Sequence, residues 1–292
     1  MRFFHAGRAA HFVVALGALS TAMLSSSAQA GVGDLLVAPT RIVIDGNRGT
    51  EVVLDNIGVD VANYRISLEL RRMDADGNLQ DVPLDQANEH EKQTLDIISY
   101  APRRVTLPPN QPQSIRVGVR APEGLPDGEY RAHMVFRAIP DAPTATAATA
   151  DKNVSIKLIP IYGVLIPVIV RRGNLQVSAE ITDAHLGIVH PPKSPSGAST
   201  PEVAAVPALD FVLKRSGTRS VFGNIRVLRA GVEKPLLEVK GIAVYAEIAQ
   251  RNVELALKPE SVKDMHGPVT IEYREPDELG GGLITSLKTD LR

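Results

Sequence analysis

From Val154 to Arg171 the chain reads VSIKLIPIYGVLIPVIVR, a nearly unbroken apolar run in a sequence that otherwise alternates apolar with polar residues. A run of this length limits the choice to a membrane helix or a strand covered on both faces. Lys157 would interrupt the first helical turn, and Pro160 and Pro167 would each remove a helical hydrogen bond. The many β-branched residues lose rotamer freedom in a helix. The run therefore reads as a strand, and one of its faces is open to cover by another molecule.

The first thirty residues read as a cleavable signal peptide. Arg2 and Arg8 give a basic start, Ala9 to Leu24 an apolar centre, and Ala28-Gln29-Ala30 a small-x-small cleavage pattern. Without residues 1–30 the chain carries 30 basic and 33 acidic residues, a net charge near −3. A nucleic-acid binder would show clustered basic charge instead. No other apolar segment has helix-compatible chemistry over membrane length, so an exported protein that is not membrane-embedded is expected, in the periplasm if the route is bacterial. The absence of cysteine excludes disulfides and thiolate chemistry, so stability rests on core burial.

After Gly31 short strands alternate with turn residues: LLVAPTRIVIDG, TEVVLDNIG, then ANYRISLELRRMD before the turn Ala75-Asp76-Gly77-Asn78. Tyr64, Ile66, Leu68 and Leu70 recur with period two, as strands require. The acidic piece from Asp81 to Lys92 shows no clear period and reads as a loop. YAPRRVTLPPNQPQSIRVGVRAP predicts two strands around a Pro-Pro-Asn turn. EYRAHMVFRAIP then sets Tyr130, Ala132, Met134 and Phe136 on one face and Arg131, His133, Val135 and Arg137 on the other. The stretch 141–151, rich in Ala, Thr and Pro, reads as a loop that feeds the long strand. A second β-rich unit begins after Arg172. The expected domains are 31–172 and 173–292, the latter with a Pro-rich loop near 190–207, in an all-β chain of sandwich type.

Catalytic and metal constellations are not expected. The histidines after the signal segment, His90, His133, His185, His190 and His266, lie in unrelated segments, so no metal site is predicted. Gly280-Gly281-Gly282 lacks a phosphate-loop lysine, and no GxSxG elbow occurs. Asp74-Ala75-Asp76-Gly77-Asn78 lacks the later acidic ligand of a calcium loop and reads as a hairpin turn. No cofactor and no enzyme activity are expected. An exported adhesion or carbohydrate-binding protein would present aromatic platforms, yet the chain has no Trp and 4% aromatic residues.

Several motifs occur in an order that resembles the periplasmic chaperones of chaperone-usher pilus systems, and their divergent branch in particular. They are APTRIVIDG, RRVTLPPNQPQSIRV, EYRAHMVFRAIP, a long apolar strand ending in VIVRR, RSGTRSVFGNIRV and GIAVYAE. The resemblance implies two immunoglobulin-like sandwiches in an L with a cleft between them. It also implies a function: binding a pilin or fimbrial subunit that lacks its final strand, completing it with a lent strand, and delivering it to an outer-membrane usher. Strand lending is a form of β-augmentation, in which main-chain hydrogen bonds run along an exposed edge.

The resemblance also assigns residues. Within the lent strand the even row Ile156, Leu158, Pro160, Tyr162 and Val164 is expected to face the client. Arg41 matches the first of two basic residues that anchor the client's terminal carboxylate, which a guanidinium grips through two parallel hydrogen bonds. The second, a lysine in the best-known members, falls at or near Pro167, so a nearby arginine, Arg171, is the expected substitute. Without the resemblance, Arg41 reads as a solvated strand arginine and the long run as an ordinary buried strand. Proline is confined to edges and bulges, so at least one of Pro160 and Pro167 is expected at a bulge or strand end.

Overall fold

Alternation of apolar and polar residues becomes alternation of buried and exposed side chains once strands pair into sheets. The computed structural model describes residues 34–46, 48–140, 161–189 and 205–292. Residues 1–30, expected to be a signal peptide, the stretch 141–151, the beginning of the long apolar run and most of the Pro-rich stretch lie outside the described residues.

The first part of the chain holds β1 (Leu35–Ala38), β2 (Ile42–Asp45), β3 (Thr50–Asn56), β4 (Ala62–Glu69), β5 (Arg71–Met73), β6 (Leu79–Asp81), β7 (Ile98–Ala101), β8 (Arg104–Leu107), β9 (Gln113–Val119), β10 (Gly128–Ile139) and β11 (Gly163–Arg172). The second holds β12 (Val177–Val189), β13 (Val206–Gly217), β14 (Val221–Leu228), β15 (Leu237–Val244), β16 (Gln250–Ala256), β17 (Gly267–Arg274) and β18 (Leu283–Leu291).

Sheets ordered β1-β3-β9-β7 and β2-β11-β10-β4-β8 form one sandwich. Between them lie Val52, Leu54 and Ile115 from the first sheet and Tyr64, Ile66, Tyr130, Phe136 and Ile166 from the second. Burying one such aliphatic or Phe side chain stabilises by about 1.5–3 kcal/mol. Sheets β12-β13-β16 and β15-β14-β17-β18 form the second sandwich around Leu209, Leu213, Ile225, Ile271 and Tyr273. The chain is all-β, as the alternation predicts.

Two segments depart from expectation. The stretch expected to be a loop as far as Lys92 turns helical at Glu89, and this helix, α1 (Glu89–Ile97), covers part of the first core with Ile97. It starts at a capping box: Asn88 Oδ1 accepts from Glu91 N–H at 2.9 Å, and Glu91 Oε2 accepts from Asn88 N–H at 2.8 Å. The segment LLVAPTRIVIDG is two strands. β1 pairs with β3 in one sheet and β2 runs parallel to β11 in the other, with Pro39, Thr40 and Arg41 crossing between.

The sandwiches meet through a small apolar cluster of Met73, Ile169, Ala243 and Tyr245, flanked by Leu79, Phe222 and Ile248. The turn between β5 and β6 reaches the second sandwich. Asn252 N–H donates to the Ala75 carbonyl at 2.7 Å, and its Nδ2 donates to Asp76 Oδ1 at 2.9 Å.

Candidate functional site

The long strand is paired unevenly. β10 accompanies β11 along its whole length, from Gly163↔Arg137 to Arg172↔Gly128. On the other side β2 pairs only from Val168 to Arg171. Among the described residues, Gly163 to Pro167 have no neighbour on that side, so β11 is half internal strand and half edge.

Backbone hydrogen bonds set which groups face the open edge. Ala138 N–H donates to the Tyr162 carbonyl at 3.0 Å, and Gly46 N–H, on the β2 side, donates to the Arg171 carbonyl at 3.2 Å. Antiparallel pairing alternates these directions, so even positions of β11 bond to β10 and odd positions point the other way. Gly163 and Leu165 therefore present N–H and C=O to the open edge, and Pro167 presents only its carbonyl. The register with β10 runs through Pro167 without a shift, so it marks neither a bulge nor an end. Its missing N–H is one that β10 has no use for.

The expected client row lies differently from expectation where it is described. Val164 continues the inward row Ile166, Val168 and Val170 and rests on the first sandwich's own core. Tyr162, next in the row, is 53% exposed, and Ile161 is 58% exposed. The even row thus leaves its core at Tyr162 and does not belong to a client at Val164. The other face of β11 does not belong to a client throughout either, because Ile169 is buried in the cluster between the sandwiches. Ile156, Leu158 and Pro160 lie outside the described residues.

Arg41, half-buried at the start of β2, extends into the gap between the sandwiches. Its guanidinium carbon lies 4.3 Å from the centre of the Phe222 ring on β14. Among the described residues it has no ion pair or side-chain hydrogen bond. Burial holds its pKa below the usual arginine value, and Arg171 acts in the same direction, against the opposing pull of Tyr245 and Glu129.

Arg171 also sits at this gap, but the carboxylate it holds is the chain's own. Its Nε donates to Glu129 Oε2 at 3.0 Å, and the Glu129 side chain is 1% exposed. Glu129 in turn accepts from Ser220 N–H at 3.1 Å and Ser220 Oγ–H at 2.9 Å, across 91 residues of sequence. Arg171 thus holds Glu129 within the first sandwich while Glu129 ties that sandwich to Ser220 of the second, so Arg171 is not a free cation. Sequence reasoning missed Arg219, whose pKa is lowered first by burial and then by Arg171. It precedes Ser220 within the RSGTRSVFGNIRV segment that also supplies Phe222, which was the available signal.

A second tie runs through Arg131, which donates to Glu247 and, at 2.9 Å, to the Arg71 carbonyl while lying 3.8 Å from the centre of the Tyr245 ring. Met73 N–H donates to the same Glu247 at 2.8 Å. His133, fully buried beside it, lies 3.3 Å through Nε2 from Arg131 Nη1. A guanidinium only donates, so that ring nitrogen accepts and the imidazole is neutral. Burial, reinforced by Arg131, Arg71 and Arg41, pushes the His133 pKa down from 6.5 to about 3.

The sign for stability follows from linkage. A depressed folded-state pKa gives stability that is complete above about pH 6.5 and is lost as pH falls toward 3. His133 alone should lower the unfolding free energy by about 2 kcal/mol between pH 7.5 and pH 5. Urea titrations at both pH values, compared with His133→Gln, check this. The variant should lose that part of the pH dependence.

Among the described residues, no group of three His, Asp or Glu side chains is placed to hold a metal ion, and no helix is long and apolar enough to cross a membrane.

No protein-family profile and no curated protein sequence matches the chain. Among solved structures the chain is similar to the YadV chaperone, at 12% identity over 88% of this chain and 100% of that one, with a TM-score of 0.45. It is similar to the CupB2 chaperone of Pseudomonas aeruginosa, at 15% identity over 88% of this chain and 100% of that one, TM-score 0.42. It is also similar to a chain of the CsuC–CsuE chaperone-tip adhesion subunit pre-assembly complex from the archaic chaperone-usher Csu pili of Acinetobacter baumannii, at 12% identity over 88% and 97% of the two chains, TM-score 0.41.

Proposed function

We propose that this protein is a periplasmic chaperone that binds pilin or fimbrial subunits by donor-strand complementation and passes them to an outer-membrane usher. In this reading, residues 1–30 direct export, and domains 31–172 and 173–292 flank the client cleft. One observation carries it: β11 offers a backbone edge at Gly163 to Pro167 that is unpaired among the described residues, on the strand that pairs with β2 just after Arg41. An unpaired stretch of backbone on a sheet strand is a template for another strand. A half-buried guanidinium with no ion pair among the described residues matches a terminal carboxylate.

The client's main chain adds at the edge, while Arg41, with Arg219 across the gap, holds its carboxylate. In this reading Tyr162, exposed where the inward row of β11 leaves its own core, belongs with Ile156, Leu158 and Pro160 to the row lent to the client. Those side chains then fill the groove of a subunit that lacks a strand, as if the two cores were continuous. No bond is made or broken.

The test is co-expression with the pilin of the same operon. Pilin is expected to survive in the periplasm only when this protein is present. Equal pilin accumulation without it overturns the proposal.

A further inference from the structure

Three arginines stand directly opposite one another across three adjacent strands. Arg104 of β8 pairs in register with Arg65 of β4, and Arg65 with Arg137 of β10. Their neighbours in each strand, Val105, Tyr64 and Phe136, point into the first core, so the three arginines share the outer face of the sheet. All three are exposed. Like charges placed directly opposite destabilise a sheet. Among the described residues the row has one carboxylate at ion-pair distance, Glu69, which lies 3.0 Å from Arg137 and is shared with Arg71 at 2.9 Å.

The row leads to the open edge. Arg137 is in register with Gly163 of β11, so the sequence across the sheet is Arg104, Arg65, Arg137, Gly163 and then no further strand among the described residues. Gly163 has no side chain to stand between Arg137 and whatever pairs next. A strand added there sets its matching residue about 10 Å from the Arg137 backbone, two strand spacings away. An extended arginine and a carboxylate side chain together cover that distance. The second sandwich covers the same face farther along, at His133 of β10 and Ile169 of β11, while Arg137 is exposed.

We propose that this row docks an acidic segment of the client subunit, beginning with an Asp or Glu opposite Gly163 in the added strand and continuing over Arg65 and Arg104. The inference rests on the chaperone reading and adds to it what selects the client: negative charge beside the strand that receives β11. Exposed charges of this kind act on encounter, raising the association rate and making it sensitive to salt.

The test measures association of the subunit recovered by co-expression with wild-type protein, the double variant Arg65→Glu/Arg104→Glu and the double variant Arg65→Lys/Arg104→Lys, over a series of sodium chloride concentrations. Both positions are exposed, so each variant is expected to fold. About tenfold slower association and a flatter salt dependence are expected for the glutamates, with the lysines close to wild type. Subunit capture with unchanged rate and salt dependence overturns the docking row while leaving the chaperone reading intact.

If no subunit is captured, the chaperone reading fails and octaglutamate peptide decides about the row. Amide shifts confined to β8, β4 and β10 uphold an acidic-peptide surface, and their absence overturns it. Equal binding to phosphatidylglycerol vesicles, abolished by the same glutamates, assigns the row to a lipid surface and overturns the client assignment.

Discussion

Replacing Glu129 by alanine should remove about 3–5 kcal/mol of unfolding free energy, the usual cost of deleting one partner of a buried ion pair. The pair is a suitable case, because the Glu129 side chain is 1% exposed and Arg171 20% exposed. Three donors lose their acceptor together: Arg171 Nε, Ser220 N–H and Ser220 Oγ–H. Arg41 and Arg219 lose the acid whose pull opposes the effect of burial on both of them. Glu129→Gln keeps the shape and one acceptor oxygen, so its loss should be smaller. Urea unfolding monitored on each sandwich checks the result, and the two transitions should separate in the alanine variant. A loss below about 1 kcal/mol would mean that water reaches the pair and screens it.

Arg41→Met should move stability and function in opposite directions. Removing a half-buried cation that has no ion pair among the described residues relieves desolvation and the repulsion from Arg171, at the loss of the weaker pull from Tyr245 and Glu129. Methionine recovers contact with the Phe222 ring in place of the cation–π interaction, worth about 0.5–1 kcal/mol where exposed. The variant is therefore expected to be as stable as the wild type, or more stable by up to about 1 kcal/mol. Client affinity should fall about 10–100-fold, since hydrogen bonds to a charged partner contribute about 1.5–3 kcal/mol. Thermal unfolding and titration of the client subunit measure the two effects on one sample. Unchanged affinity would remove Arg41 from the anchor and leave the open edge of β11 standing.

How much of this was legible in the sequence depended on whether the signal was local. Period-two alternation in Tyr64 and Ile66, and in Tyr130 to Phe136, set strand type and inward face correctly, because pleating alone decides both. The helix α1 was missed although Asn88 and Glu91 spell its cap, since only Thr94 and Ile97 of its residues are buried and they give no helical stripe. The division of LLVAPTRIVIDG between two sheets leaves the alternation almost intact, so a sequence pattern does not reveal it.

The site was legible in part for the same reason. Too much apolar surface marked β11, but its pairing on one side for part of its length is a tertiary fact. Arg171 looked free because its partner Glu129 lies 42 residues away, and Ser220, which also holds Glu129, lies 91 residues from it. The arginine row draws on three strands and becomes a row only after their registers are fixed.

Pro167 adds a consequence for how the protein survives alone. An open strand edge invites copies of the same molecule to join edge to edge and aggregate. Within the stretch from Gly163 to Pro167 the outward N–H groups are those of Gly163 and Leu165, because Pro167 contributes none. Two copies meeting at this edge would find few donors, and a partner sliding toward β2 would meet the proline carbonyl without an N–H beside it. This stretch is thus short of donors for pairing with a copy of itself, and adhesion there depends on what a different partner brings.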